Sequence, residues 1–159
     1  MTVAVRKARH EDAPRVLELV DALADYERLP RPDADARERL LRDGFGPAPR
    51  FDLLVGERDG APVGYALFFE TYSSFLARPT LYLEDLFVHP DHRKSGLGLA
   101  LFRAVATEAV RRECGRMEWA VLTWNRLAID FYERLGAVAL EDWRTFRLTG
   151  DALGAVAQR

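Results

Sequence analysis

Apolar positions change period several times along the chain, and each change marks an element. Val3 and Val5 alternate with polar neighbours, which predicts a first strand. His10-Glu11-Asp12 and Pro14 then open a run in which Val16, Leu19, Val20 and Leu23 recur at helical spacing. Acidic residues and proline suit a helix's first turn, so a helix is expected from about Glu11 to Leu29, where Pro30 and Pro32 stop it. Asp35 to Arg42 reads as a short second helix ending at Gly44, and the stretch to Pro49 as a loop. Phe51 to Glu57 and Val63 to Tyr72 are strand-like on either side of Asp59-Gly60, a dipeptide that favours a tight hairpin. Leu81 to Val88 is a third such run, closed by His89-Pro90. Past a glycine loop, Leu97, Leu101, Val105 and Ala109 form the clearest helical stripe, with Arg111 and Arg112 at its end and Gly115 closing it. Met117 to Thr123 reads as a strand, Asn125 as the cap of a helix to Leu135 that Gly136 ends, and Asp142 to Leu148 as a last strand. The order β-α-α-β-β-β-α-β-α-β predicts an α/β (mixed α+β) domain around one sheet, a single domain over residues 1–159.

Composition narrows the class. With 48% hydrophobic and 30% charged residues the chain is globular, and no apolar run reaches the length of a membrane span. A net charge of −2 and dispersed basic residues argue against nucleic acid as a partner. The single cysteine, Cys114, cannot form an internal disulfide or a thiolate metal site, and His10, His89 and His92 have no metal-ligand spacing. With no hydrophobic signal region in Met1 to Glu11, a cytoplasmic protein without metal or membrane partner is expected.

The chemistry concentrates between Leu83 and Gly98: a strand, the loop Arg93-Lys94-Ser95-Gly96-Leu97-Gly98, then a long helix. Glycines let such a backbone turn tightly, and a helix's free first amides favour an anion. The loop alone leaves two readings open, a pyrophosphate cradle flanked by the charges of Arg93 and Lys94, or an ordinary strand-to-helix turn. A P-loop motif is absent, and the G-x-G-x-x-G fingerprint fails because Leu101 stands at its third glycine. On the strand, period two puts Glu84 on the face of Leu86 and Asp85 on the opposite one, so Asp85 reads as structural or at a rim.

The run Leu83-Glu84-Asp85-Leu86-Phe87-Val88-His89-Pro90 with Arg93-x-x-Gly96-x-Gly98, followed by Trp124-Asn125 and Phe131-Tyr132-Glu133-Arg134-Leu135-Gly136-Ala137, resembles the GCN5-related N-acetyltransferases. Tyr26-Glu27, Asp43-Gly44-Phe45-Gly46, Leu81-Tyr82-Leu83-Glu84-Asp85 and Trp143-Arg144 are similar to its diamine acetyltransferase branch, which acts on spermidine, spermine or thialysine. The resemblance implies the acyl-CoA N-acyltransferase fold, a mostly antiparallel twisted sheet flanked by helices. It implies acetyl-CoA as acetyl donor, held by Leu86, Phe87, Val88, Arg93, Lys94, Ser95, Gly96, Leu97, Gly98, Leu99, Asn125, Ala128 and Tyr132. Tyr132 would protonate the departing thiolate; Glu84 would take the proton of the attacking amine, directly or through water, because an ammonium has no lone pair.

Tyr26, Glu27, Glu84 and Glu141 would then contact a small cationic amine, and the branch implies a homodimer, with Phe75, Leu76 and Trp143 as candidate interface residues. Three departures touch the details. Lys94-Ser95 replaces a glycine-aromatic pair, Glu118 stands where mammalian polyamine enzymes have histidine, and the segment from Gly136 to Trp143 is shorter. A lysine-like amine or small diamine therefore stands beside polyamines as acceptor. A protein or peptide amine, and a non-catalytic acyl-CoA-binding module, are the alternative readings.

Overall fold

The computed structural model describes residues 1–159. Contacts within the chain divide it into two compact units, Met1–Ala120 and Val121–Arg159.

The first unit holds a five-stranded sheet in the order β1 (Val3–Lys7), β2 (Asp52–Arg58), β3 (Ala61–Ser73), β4 (Arg78–Val88) and β5 (Arg116–Glu118). Pairing is antiparallel except between β4 and β5. The expected hairpin forms at Asp59-Gly60, where φ is 52° and 83°, the pair of positive angles that tight hairpins demand. Helices α1 (Ala13–Tyr26) and α2 (Ala34–Phe45) separate β1 from β2, and α3 (Leu97–Arg111) separates β4 from β5. The α1 stripe ends earlier than its apolar pattern suggests, and α2 runs on through Gly44. No helix is long and apolar enough to cross a membrane.

Both sheet faces are covered. Val16 and Leu19 of α1 pack with Leu53, Val55, Tyr65, Leu67 and Phe87 on one side. Leu97, Leu101, Val105 and Ala109 of α3 pack with Val63, Ala66, Phe68, Leu81 and Leu83 on the other. Each fully buried leucine or valine contributes about 1.5–3 kcal/mol, so the α3 stripe is a main anchor of the fold. Its seat is cut by two glycines paired across β2 and β3, Gly56 and Gly64. A Cβ on Gly56 would lie 2.8 Å from Leu97 Cδ1, and one on Gly64 would lie 2.7 Å from the Phe87 carbonyl oxygen and 3.3 Å from Leu101 Cδ1. Only glycine lets the first turns of α3 settle this close to the sheet.

β4 carries a bulge. Leu67 pairs with Asp85 but Phe68 pairs with Leu83, which leaves Glu84 as the extra residue. A bulge reverses the alternation of everything beyond it and bends the strand. Leu81 and Leu83 therefore share the α3 side with Leu86 and Val88, while Phe87 lies on the α1 side. The parallel ladder with β5 reaches only from Thr80 to Tyr82, so the strand expected over Met117 to Thr123 is confined to Arg116–Glu118.

In the second unit, α4 (Arg126–Arg134) is capped as expected, the Asn125 side-chain oxygen accepting from the Ala128 amide at 3.2 Å. Residues 142–148 do not form the expected last strand. A strand requires a neighbour for its amides and carbonyls, and no ladder includes this segment. Trp143 and Phe146 are 76% and 91% exposed within it. A final helix, α5 (Gly150–Ala157), forms where none was expected; its two glycines lower helix propensity and hid it.

Candidate active site

β4 ends at Val88 and the chain passes through a single 3-10 turn, Pro90–His92, into the glycine loop. The His89 amide donates to the Val63 carbonyl at 2.9 Å and the Ser95 hydroxyl to the His92 carbonyl at 2.8 Å, so the loop is tied down at both ends. Lys94 and Gly96 have φ of 61° and 82°. The first is strained for a residue with a side chain, costing about 1–2 kcal/mol; the second is glycine's ordinary territory. No side chain caps the start of α3. Its first amides therefore point outward at the positive end of the helix dipole, the arrangement that receives an anion. A Cβ on Gly96 would meet nothing within 4 Å, so the cradle is open.

Arg93 behaves differently from the charge beside a cradle that its position suggests. Its guanidinium lies 4.6 Å from the centre of the Tyr26 ring and 5.7 Å from that of Phe87, and Nε donates to the Val88 carbonyl at 3.0 Å. The side chain thus joins the loop to the end of α1, which bears Tyr26 and Glu27.

The acids of this wall act on one another. Burial, and behind it the Glu84 charge, pushes the Glu27 carboxyl up. Glu84 is exposed on the bulge. Asp85 is half-buried, and its Oδ2 accepts from the fully buried Tyr65 hydroxyl at 3.0 Å. Burial, with the charges of Glu84 and Glu27, pushes Asp85 up to about 6, against the Tyr65 hydrogen bond, which favours the carboxylate. Asp85 lies opposite Leu86, as alternation predicts, but the bulge absorbs Glu84, so the alternation that would have set Glu84 on the face of Leu86, apart from Asp85, does not hold there. Asp85 instead belongs to the same electrostatic group as Glu27 and Glu84, and Tyr65 is its partner. Neither Asp85's place in the group nor Tyr65 was legible in the sequence, because no one-dimensional pattern reveals a bulge.

The first unit therefore brings together Tyr26, Glu27, Glu84, Leu86 to Val88 and the loop Arg93 to Leu99. Beyond Tyr82, β4 has a ladder on its β3 side only. Asn125, Ala128 and Tyr132 lie on α4 of the second unit, where the Tyr132 ring stands edge-on to Phe131 at 5.3 Å. Glu141 is exposed in that unit.

A model of the acetyltransferase (GNAT) family matches residues 16–137. The chain belongs to this family. It is an N-acetyltransferase. Thialysine N-epsilon-acetyltransferase of Bos taurus is 37% identical over 98% of this chain and 97% of its own. L-ornithine N5-acetyltransferase of Arabidopsis thaliana is 44% identical over 80% of this chain and 50% of its own. Among solved structures, an integron cassette protein of V. cholerae superposes with a TM-score of 0.83 at 21% identity, covering 100% of this chain and 99% of its own, a likeness of fold. Acetyltransferases of this family use acetyl-CoA, and the chain's residues fit its diphosphate: open glycine positions, outward amides and no capping side chain at α3.

Proposed function

We propose that this acetyltransferase moves the acetyl group of acetyl-CoA to a primary amine of a small cationic substrate by direct attack of the nitrogen. The observation that carries the reading is the pairing, within one unit, of an anion cradle at α3 with an acidic wall of Glu27 and Glu84. A donor with a diphosphate and an acceptor with positive charge each find complementary surface there. The relatives' names point the same way, since thialysine and ornithine are amino acids with a side-chain amine. A lysine-like or diamine acceptor fits this better than a polyamine.

When bound, acetyl-CoA supplies its acetyl group as a thioester. Amides of Arg93 to Leu99 would hold the diphosphate. The free edge of Leu86, Phe87 and Val88 would line the acyl arm, where one of its amides would polarise the thioester carbonyl. The family resemblance assigns Asn125 and Ala128 to holding the arm and Tyr132 to giving the departing sulfur its proton. Glu84 takes the proton of the amine, directly or through water. Tyr26 and Glu27 receive the substrate's remaining positive charge, and Glu141 is the further acid that the family resemblance assigns to the amine.

The test is CoA release with thialysine, lysine, ornithine, spermidine, putrescine and a short peptide, run with Tyr132→Phe in parallel. Turnover on a charged small amine that falls by about 10²–10⁴ in Tyr132→Phe is expected, the usual weight of a positioned acid. Activity on the peptide alone would replace this acceptor class, and CoA binding without turnover would make the protein a binding module. We also propose a homodimer. Phe75, fully exposed at the β3–β4 turn, with Leu76 and Trp143 supports it. A monomeric mass by light scattering at micromolar concentration would refute it.

A further inference from the structure

Proton removal is the part of this reaction that an exposed carboxylate explains least well. Glu84 sits in water on the bulge, and a proton placed there is returned to solvent or to the acceptor amine. Directly behind it the structure puts a group of another kind. Asp85 is half-buried, held at Oδ2 by a tyrosine hydroxyl that is itself completely out of water, and faces the carboxylates of Glu27 from α1 and Glu84 from its own strand. The bulge creates this neighbourhood, since without the extra residue Asp85 would turn to the α3 side. Arg93, the cation on this wall, is spent on the rings of Tyr26 and Phe87.

We propose that Asp85 is the proton-holding residue of the acetyl transfer: Glu84 meets the acceptor ammonium, and Asp85, steadied by Tyr65, receives the proton behind it. This rests on the proposed function. One proton leaves the ammonium nitrogen for Glu84 and passes to Asp85 Oδ1. The freed nitrogen pair forms the bond to the acetyl carbon, and the sulfur leaves with the electrons of the broken C–S bond. Tyr132 protonates the sulfur and is made whole by the second nitrogen proton. Asp85 then returns its own proton to water.

The three neighbours tune Asp85 in opposite senses, which makes the idea separable from a structural role. The Glu27 and Glu84 charges and burial favour its neutral form, while the Tyr65 hydrogen bond favours the carboxylate. A relay that must be empty to accept a proton gives kcat/KM an acid limb near pH 6. Tyr65→Phe keeps the ring's shape in the core and removes the bond, so the limb should move to higher pH by about half a unit to one unit. Asp85→Asn keeps the shape and removes the relay, so kcat/KM should fall by about 10²–10⁴ with an unchanged far-UV spectrum. A carboxyl-carbon NMR titration of the free enzyme, with Asp85→Asn to assign the resonance, reads the same group without turnover. Its midpoint should lie near 6 and rise in Tyr65→Phe. An Asp85 midpoint below about 4, the ordinary aspartate range, overturns the proposal. So does a folded Asp85→Asn that keeps its rate within about threefold, or a limb that Tyr65→Phe leaves in place. Absence of turnover on every amine with acetyl-CoA still bound would instead overturn the proposed function.

Discussion

Asp12 is the most deeply placed ionised group at the start of α1, and its replacement by asparagine tests how the fold is locked at that point. Its Oδ2 accepts from Arg6 Nη1 at 2.7 Å and from the Arg9 amide at 2.7 Å, and its Oδ1 from Arg6 Nη2 at 3.0 Å. The residue is 5% exposed, and Arg6 also reaches Glu57 at 2.7 Å. One aspartate thus ties β1, β2 and the first turn of α1. Asp12→Asn keeps the shape and one acceptor but loses the charge. Hydrogen bonds to charged groups contribute about 1.5–3 kcal/mol, and losing one partner of a fully buried pair costs about 3–5 kcal/mol. Arg6 retains Glu57 and some water, so a loss of about 2–3 kcal/mol is expected. At about 2–4 °C per kcal/mol for a chain of this size, Tm should fall by roughly 4–12 °C. The dependence on pH follows from the sign of the shift. The hydrogen bond from Arg6 holds the Asp12 carboxyl below its usual range. The stabilisation is therefore complete above the unfolded aspartate value of about 3.9 and is lost as pH falls through the folded one. Urea unfolding of both proteins should give a constant gap from pH 5 to neutral that narrows below about pH 4. A gap under about 1 kcal/mol, or one that persists unchanged into strong acid, would refute the reasoning.

Gly64→Ala should cost about 1–3 kcal/mol, measured by urea unfolding, because the new methyl meets the Phe87 carbonyl at 2.7 Å and backbone cannot swing aside. The same variant should raise KM for acetyl-CoA, since Phe87 belongs to the edge proposed to line the acyl arm. Lys94→Gly should leave Tm unchanged or raise it by a few degrees, because relief of the left-handed strain at φ 61° exceeds glycine's added chain entropy by about 1 kcal/mol at most. If the ammonium of Lys94 attracts the diphosphate, the variant should also weaken CoA binding and flatten its salt dependence by calorimetry. Arg93→Met should raise KM for the amine through the lost stack on Tyr26, a cation–π contact of about 0.5–2 kcal/mol; an unchanged amine KM would refute that link.

Local rules carried the order of elements from β1 through α4. The helical stripe Leu97, Leu101, Val105 and Ala109 is buried as its spacing implies, the Asp59-Gly60 turn has the required positive angles, and Asn125 caps α4. Each of these depends on residues within a few positions of one another, so the sequence alone determines them. The glycine loop and the Phe131-Tyr132 segment pointed to an acetyltransferase through their resemblance to that family, since the loop alone left two readings open. What required tertiary structure is non-local. The bulge at Glu84 arises from the register between β3 and β4, and it moved Asp85 into the acid group beside Tyr65. The Gly56–Gly64 seat depends on two glycines paired across strands, and the turn of Arg93 toward Tyr26 on the approach of a loop to a distant helix. Residues 142–148 have the composition of a strand but no ladder, because a strand exists only where another edge offers its amides and carbonyls. Sequence periodicity says which way a side chain leans; pairing between strands decides what it meets.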